Sequence, residues 1–286
     1  MSKRSHNMME LSSQEVGERM KETDIVLVPV GSHEMHGYHL PLGCDSYQAL
    51  AIAKGAAEKS NVLHTNVIWT GYSPHHMHRV NEQTGTITLR GETLRRVLYD
   101  VARSLIFHGF NKIVYVNMHG SNIKVMDEVL RRLRYETGAF VGVYMHALER
   151  DTKLLADLLK DCPTDVPPAW HAGQIETSIE MSVVPDLVQM NRAVRDTAHA
   201  PAYLGPAFTK TDGTATVKFE DAENIVIPME HHEYVDSATI GDPFRATKEM
   251  GDRAIGMMID HCARFVEAIK SIKVDIKDRD FPERAW

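Results

Sequence analysis

The chain alternates short, unbroken apolar runs with stretches in which apolar residues return every three or four positions. The runs are Asp24–Ser32 (DIVLVPVGS), Lys112–Met118 (KIVYVNM) and Ala139–Met145 (AFVGVYM). Continuous β-branched runs suit strands of a parallel sheet covered on both faces. Between them, Leu94, Val97, Leu98, Val101, Leu105 and Ile106 recur at helical spacing, as do Val125, Val129, Leu130 and Leu133. Gly109 and Gly138 fall where helix C-caps belong. With short connections, strand, helix, strand, helix, strand implies right-handed crossovers, so the pattern predicts an α/β fold: three αβα layers around a mostly parallel sheet. A last long helix is predicted from about Thr247 to Ile272. Asp161–Trp170 and Ala200–Asp221, rich in Pro, Gly and Thr, read as long loops of the kind that carry function.

Composition narrows this picture without redirecting it. A length of 286 residues with 43% hydrophobic and 25% charged residues is ordinary for a globular chain with a substantial core. We expect one domain over residues 1–286, with about 20 N-terminal and about 15 C-terminal residues peripheral. A formal charge of −7 argues against a broad nucleic-acid surface, and Arg95/Arg96 and Arg131/Arg132 read as solvated helix faces. Cys44, Cys162 and Cys262 are widely spaced and include no CxxC pair, which fits neither a disulfide framework nor a thiolate zinc site and favours a reducing, cytoplasmic setting. The N-terminus lacks an apolar signal core, and no segment approaches the roughly 18 apolar residues of a membrane span, so no membrane partner is expected.

Chemistry concentrates where strands end. In VPVGSHEMHGYHLPLGCDSY, Val28–Tyr47, Glu34 and His36 follow the first strand at a spacing that points both side chains to one side of an extended segment. Asp45 follows the turn at Leu40–Gly43 and is positioned to add a carboxylate able to bridge two cations. Mixed nitrogen and carboxylate donors suit Zn, Mn or Fe. His119 ends the second strand in VNMHGSN, ahead of Ser121 and Asn122 at an expected helix start, whose N–H groups can hold a developing oxyanion. WHAGQIETS, Trp170–Ser178, opens a helix near Ala172, with His171 just outside and Glu176 one turn in. His171 can then shuttle protons and Glu176 ligate. Ligands of such sheets bind outside the carboxyl ends of the strands. His75, His76 and His78 lie in a loop where solvent exposure and a substrate or metal contact are both open readings, whereas His231 and His232 read as surface. His39 reads as support for the loop, and His33 has no assignable role.

Together E-x-H-G-x-H-L-P-L-x-x-D at Glu34–Asp45, N-x-H-G-x-N at Asn117–Asn122 and H-A-G-x-x-E-T-S at His171–Ser178 resemble the creatininase (creatinine amidohydrolase) family. GTITLRGETL at Gly85–Leu94 and GDPFRAT at Gly241–Thr247 are similar to that family's segments in the same order, and the likeness runs from about Val26 to Gly251. The resemblance implies a three-layer αβα hydrolase with two divalent ions per subunit, zinc or manganese first and iron or magnesium next, in a homo-oligomer, commonly a hexamer. Carried over residue by residue, it implies Glu34, His36, Asp45 and His119 as metal ligands, with Asp45 bridging. Creatininase itself has a glutamate two residues after the ligand histidine. That place is Ser121 here, which leaves Glu176 as the last ligand and weakens transfer of the creatinine substrate.

The expected reaction is attack of metal-activated water on a carbonyl of a small cyclic substrate. Catalysis is expected from His171 and Glu176, with Ser121, Asn122, His76 and Trp170 against the substrate. Cyclic-amide C–N hydrolysis is the first reading, and hydrolytic C–C ring opening of a cyclic polyhydroxy diketone, as in a 3-dehydro-scyllo-inosose hydrolase of inositol or sugar catabolism, is the alternative. An inert metal-binding protein on the same fold stands as the reading of another class. The contacts that select among substrates are expected in the loops His75–Gln83 and Leu154–Trp170.

Overall fold

In the computed structural model, which describes residues 5–79, 83–145, 153–160, 162, 163, 165–167, 170–220 and 222–285, the apolar runs become adjacent parallel strands. β1 (Ile25–Val30), β2 (Leu63–His64), β3 (Lys112–Asn117) and β4 (Phe140–Met145) lie in the order β2-β1-β3-β4. Every pairing is parallel, with Val30 opposite Asn117 and Asn117 opposite Met145, so the three long strands end level. The helices are α1 (Ser13–Arg19), α2 (Cys44–Ser60), α3 (Gly91–His108), α4 (Ile123–Thr137), α5 (Ala156–Leu159), α6 (Gln174–Val183) and α7 (Lys248–Lys270).

Strand residues alternate between two cores because successive side chains point to opposite faces. Ile25, Leu27, Val114 and Val116 pack under α2, α6 and α7, while Val26, Val28, Val30, Ile113 and Tyr115 pack under α3 and α4. That is the expected αβα layering. Gly109 and Gly138 cap α3 and α4 at φ 119° and 74°, conformations that cost glycine least. Thr247 caps α7 by accepting from the Met250 N–H at 3.1 Å. From β1 the chain winds through α2 to β2 on one side, and from β3 through α4 to β4 on the other. The crevice therefore opens at the carboxyl ends of β1 and β3, where winding direction reverses.

Besides the short helices α1 and α5, two elements that flank or extend the sheet have no counterpart in the sequence pattern. α2 buries Ala49, Ala53, Ala56 and Ala57 together with polar Asp45, Ser46, Gln48 and Ser60, so it shows no stripe of large apolar side chains. β2 spans only Leu63–His64, too short for a periodic signal. The long loop expected at Ala200–Asp221 is a correction as well: it holds β5 (Phe208–Thr209) and β6 (Thr216–Phe219), which pair antiparallel with β7 (Ala222–Val226). These strands of two to five residues break the Gly- and Thr-rich segment into a small sheet at the mouth of the crevice. Among the described residues, no helix is long and apolar enough to cross a membrane.

Candidate metal centre

The three motifs meet at the ends of β1 and β3. After β1 the chain leaves through Gly31 to Glu34 and His36, then turns at Gly37, where φ is 59° and the N–H donates to the Ala238 carbonyl at 2.8 Å. Asp45 arrives in the first turn of α2, where the helix dipole favours a carboxylate. His119 follows β3. Glu176 occupies the first turn of α6, and its Oε2 accepts the Ala172 N–H at 2.6 Å while Ala172 holds φ 51°, a strained value for a residue with a Cβ. α6 is drawn close by α7, since a Cβ on Gly251 would run into the Ser178 carbonyl.

Among the described residues four donor groups result, two of which share Asp45: Glu34, Asp45 and His119, and His36, Asp45 and Glu176; the others are Glu34, His36 and His171, and His76, His171 and His231. Asp45 joins the first two: its Oδ1 is 3.4 Å from His36 Nε2 and its Oδ2 is 3.2 Å from His119 Nδ1. Glu34 Oε2 is 3.3 Å from His119 Nδ1, and Glu176 Oε2 is 3.9 Å from His36 Nε2. His36 Nε2 and Asp45 Oδ2 are buried and, among the described residues, reach neighbours only at ion-pair distance, without a hydrogen bond. Atoms orphaned on both sides of Asp45 fit cations, because a buried polar atom without a partner is otherwise costly.

A surrounding shell fixes which nitrogen of each ring faces the centre. His36 Nδ1 lies 3.2 Å from the Glu34 carbonyl, and His119 Nε2 lies 3.0 Å from the Tyr72 carbonyl and 3.1 Å from Ser73 Oγ. Donation there leaves His36 Nε2 and His119 Nδ1 as the free lone pairs. Ser32 Oγ donates to Glu34 Oε2 at 2.8 Å and meets Ser73 Oγ at 2.5 Å. His39 is buried with Nε2 2.9 Å from Thr177 Oγ1, which ties the first motif to the helix of the third, as expected of a supporting residue.

Electrostatics report the same demand for positive charge. Burial alone would lower the His36 pKa, but Asp45, Glu176 and Glu34 raise it to about 10. Burial acts likewise on His119, and Glu34 and Asp45 outweigh it and carry the imidazole well above its usual value. Burial would raise Glu34, yet the imidazoles of His119, His76 and His36 hold it well below the carboxylate range. Without metal, protons on His36 and His119 stand in for cations among the carboxylates. His171 differs: burial first, then repulsion from His36, pushes it down to about 3, so it is neutral at pH 7. Its Nε2 donates to the Met35 carbonyl at 2.7 Å, and its ring lies 4.1 Å from that of His36 between centroids.

The centre floors a cleft of about 380 Å³. Ser121, His76, Trp170 and His171 line it, with Tyr234 and Ile240 behind. Asn122 does not line it. Its side chain is fully buried, donates to the Gly31 carbonyl at 3.0 Å and to Asn117 Oδ1 at 2.9 Å, and accepts the Tyr72 N–H at 2.8 Å. Asn117 in turn donates to the His119 carbonyl at 2.8 Å. The two asparagines therefore clamp His119, and the expectation that Asn122 meets substrate is corrected. His231, expected at the surface, is 2% exposed and lines the cleft with His75, and His76 is also buried. Nothing in the local sequence of His231 marks it, because its burial comes from the short 3-10 turn at His231–Glu233 folding over the His76 loop. Of the two loops expected to select substrate, residues 80–82, 161, 164, 168 and 169 lie outside the described residues.

The fold and these donor groups define an α/β protein with a carboxylate-bridged candidate metal centre. A family model described as creatininase (creatinine amidohydrolase) matches residues 9–266, and the chain belongs to that family of hydrolases. It is 31% identical over 217 residues to the creatinine amidohydrolase of Pseudomonas putida, covering 69% of this chain and 78% of that one. It is 29% identical over 246 residues to the mycofactocin precursor peptide peptidase of Mycolicibacterium smegmatis, covering 84% and 83%. A 3-dehydro-scyllo-inosose hydrolase of Thermotoga maritima is 26% identical over 187 residues, covering 64% and 58%. A solved creatininase mutant of Zn–Zn type superposes with a TM-score of 0.72 at 26% identity over 94% of this chain and all of that one.

Proposed function

We propose that the chain is a two-metal hydrolase of a small cyclic substrate, in which Glu34, Asp45 and His119 hold one divalent ion and His36, Asp45 and Glu176 the other. The observation that carries this reading is Asp45, which turns one carboxylate oxygen to His36 and the other to His119. Zinc or manganese fits mixed imidazole and carboxylate donors best, with iron and magnesium as rivals to be separated by metal analysis. Bound there, such ions lower the pKa of a water and polarise a substrate carbonyl.

The chain's own groups supply the rest. His171, neutral and fixed through Nε2, presents its other nitrogen as a proton acceptor and returns that proton to the departing atom. Ser121 offers a hydroxyl to the substrate, and Trp170 an apolar wall. Glu176 serves as ligand. Cyclic-amide C–N hydrolysis is the first assignment. C–C ring opening of a polyhydroxylated cyclic diketone is the second, favoured by Ser121 in place of a glutamate and by the imidazoles of His75, His76 and His231, which suit a hydroxyl-rich ring. We further propose a homo-oligomer acting on a small molecule in the cytoplasm; a monomer in sedimentation would remove the first part.

The deciding experiment is a hydrolysis screen of the metal-loaded chain against creatinine, other cyclic amides, formamides, short peptides and cyclic inositol ketones. Turnover of cyclic amides supports the first assignment, and turnover of ketones alone rejects it for the second. Turnover of none returns the inert metal-binding reading. His119→Ala should lose bound metal and turnover together; metal analysis showing an empty wild-type chain would sink the two-ion centre.

A further inference from the structure

Above the carboxylate centre stands a second donor set that contains no carboxylate. His76, His171 and His231 come from three separate segments and each offers one nitrogen, all within 4.8 Å of one another. Their rings lie 4.3 Å apart for His76 and His231, and 5.0 Å apart for the two pairs with His171. His76 is 3% exposed and His231 2%. The Nδ1 atoms of both are buried with no hydrogen-bond partner among the described residues.

We propose that His76, His171 and His231 form a third divalent-cation site, weaker than the carboxylate centre, whose occupation takes His171 out of proton transfer. Three imidazoles with a fourth position open to the cleft are a donor set suited to zinc. The neighbouring centre explains the weakness. Two divalent ions held close by would repel a third cation, and three imidazoles bring no carboxylate of their own to offset that repulsion. The site therefore fills only in excess metal, and the enzyme should lose activity as it does. The inhibition rests on the role given to His171 above; the binding does not.

Equilibrium dialysis of the whole chain against Zn²⁺ tests it. Two equivalents should bind at limiting zinc and a third in excess, and His76→Gln and His231→Gln, with unchanged circular dichroism, should each stop at two. Saturation of the wild type at two, or a third equivalent that survives both substitutions, overturns the site. Co²⁺ applies the test without substitution: the third equivalent should add the visible absorption of four-coordinate, histidine-bound cobalt. A third equivalent that adds none overturns the assignment. If instead His119→Ala keeps the first two equivalents, the carboxylate centre fails, and the response of the third to His231→Gln remains readable.

Discussion

Asn122 and Ser121 are neighbours with different work, and substitution should separate them. Asn122→Ala removes three buried hydrogen bonds and leaves the Gly31 carbonyl and the Tyr72 N–H short of a partner. It should destabilise the fold by about 2–4 kcal/mol in denaturant unfolding. Ser121→Ala, at the cleft wall, should leave unfolding within about 0.5 kcal/mol of the wild type and change KM or kcat instead. Equal losses of stability in both variants would contradict the division. Glu180 offers a pH test. It is fully buried one turn after Glu176, and burial pushes its pKa up to about 8. A carboxyl raised in the folded state contributes stability that is complete below about 4.5, its unfolded value, and is lost as pH rises toward 8. Glu180→Gln should therefore gain thermal stability over the wild type as pH climbs from 5 to 8, read as a widening difference in Tm. A constant difference would show that Glu180 does not titrate in this window.

At the scale of elements, α6 is a lever that α7 holds against the centre. The contact depends on Gly251, where a Cβ would strike the Ser178 carbonyl. Gly251→Ala should push α6 outward at a cost of about 1–3 kcal/mol. Because Glu176 rides on α6 while Glu34 and His119 do not, metal affinity should fall at the ion proposed for His36 and Glu176 while the other is kept. Metal titration showing both ions lost together would mean that the two donor groups are not independently supported. The small sheet of β5, β6 and β7 acts at the opposite side: it brings Gly213, Thr214 and Ala215 to the rim of the cleft, a part of the molecule suited to substrate choice and not to ligation.

Seen as a whole, a molecule with the proposed centre would exchange protons for metal. His36 is raised to about 10 and His119 well above its ordinary value, so the metal-free chain carries both protons at pH 7. Loading should release about two protons per chain, measured by calorimetry in buffers of differing ionisation enthalpy. The sign follows directly: apparent metal affinity should rise with pH through neutrality, because His36 holds its proton up to about 10. Proton-independent binding would place the ions elsewhere.

How much of this was legible beforehand differs between residues. That Glu34, His36, Asp45, His119 and Glu176 would meet was readable because strand ends and a helix start in a parallel sheet share one edge, and local spacing places side chains there. The strands β1, β3 and β4 and the helices α3, α4 and α7 were readable because burial on a regular face imposes a period. α2 and β2 were not, since small buried residues and a two-residue strand leave no period. The sequence by itself thus determined the layering and the donor chemistry. Only tertiary structure decided that Asp45 faces both donor groups, that Asn122 clamps where it was expected to bind, and that His231 joins His76 and His171. Those assignments depend on packing between segments that meet only in the fold, Asp45 with His119, Asn122 with Gly31 and His231 with His76, and no local pattern encodes such contacts.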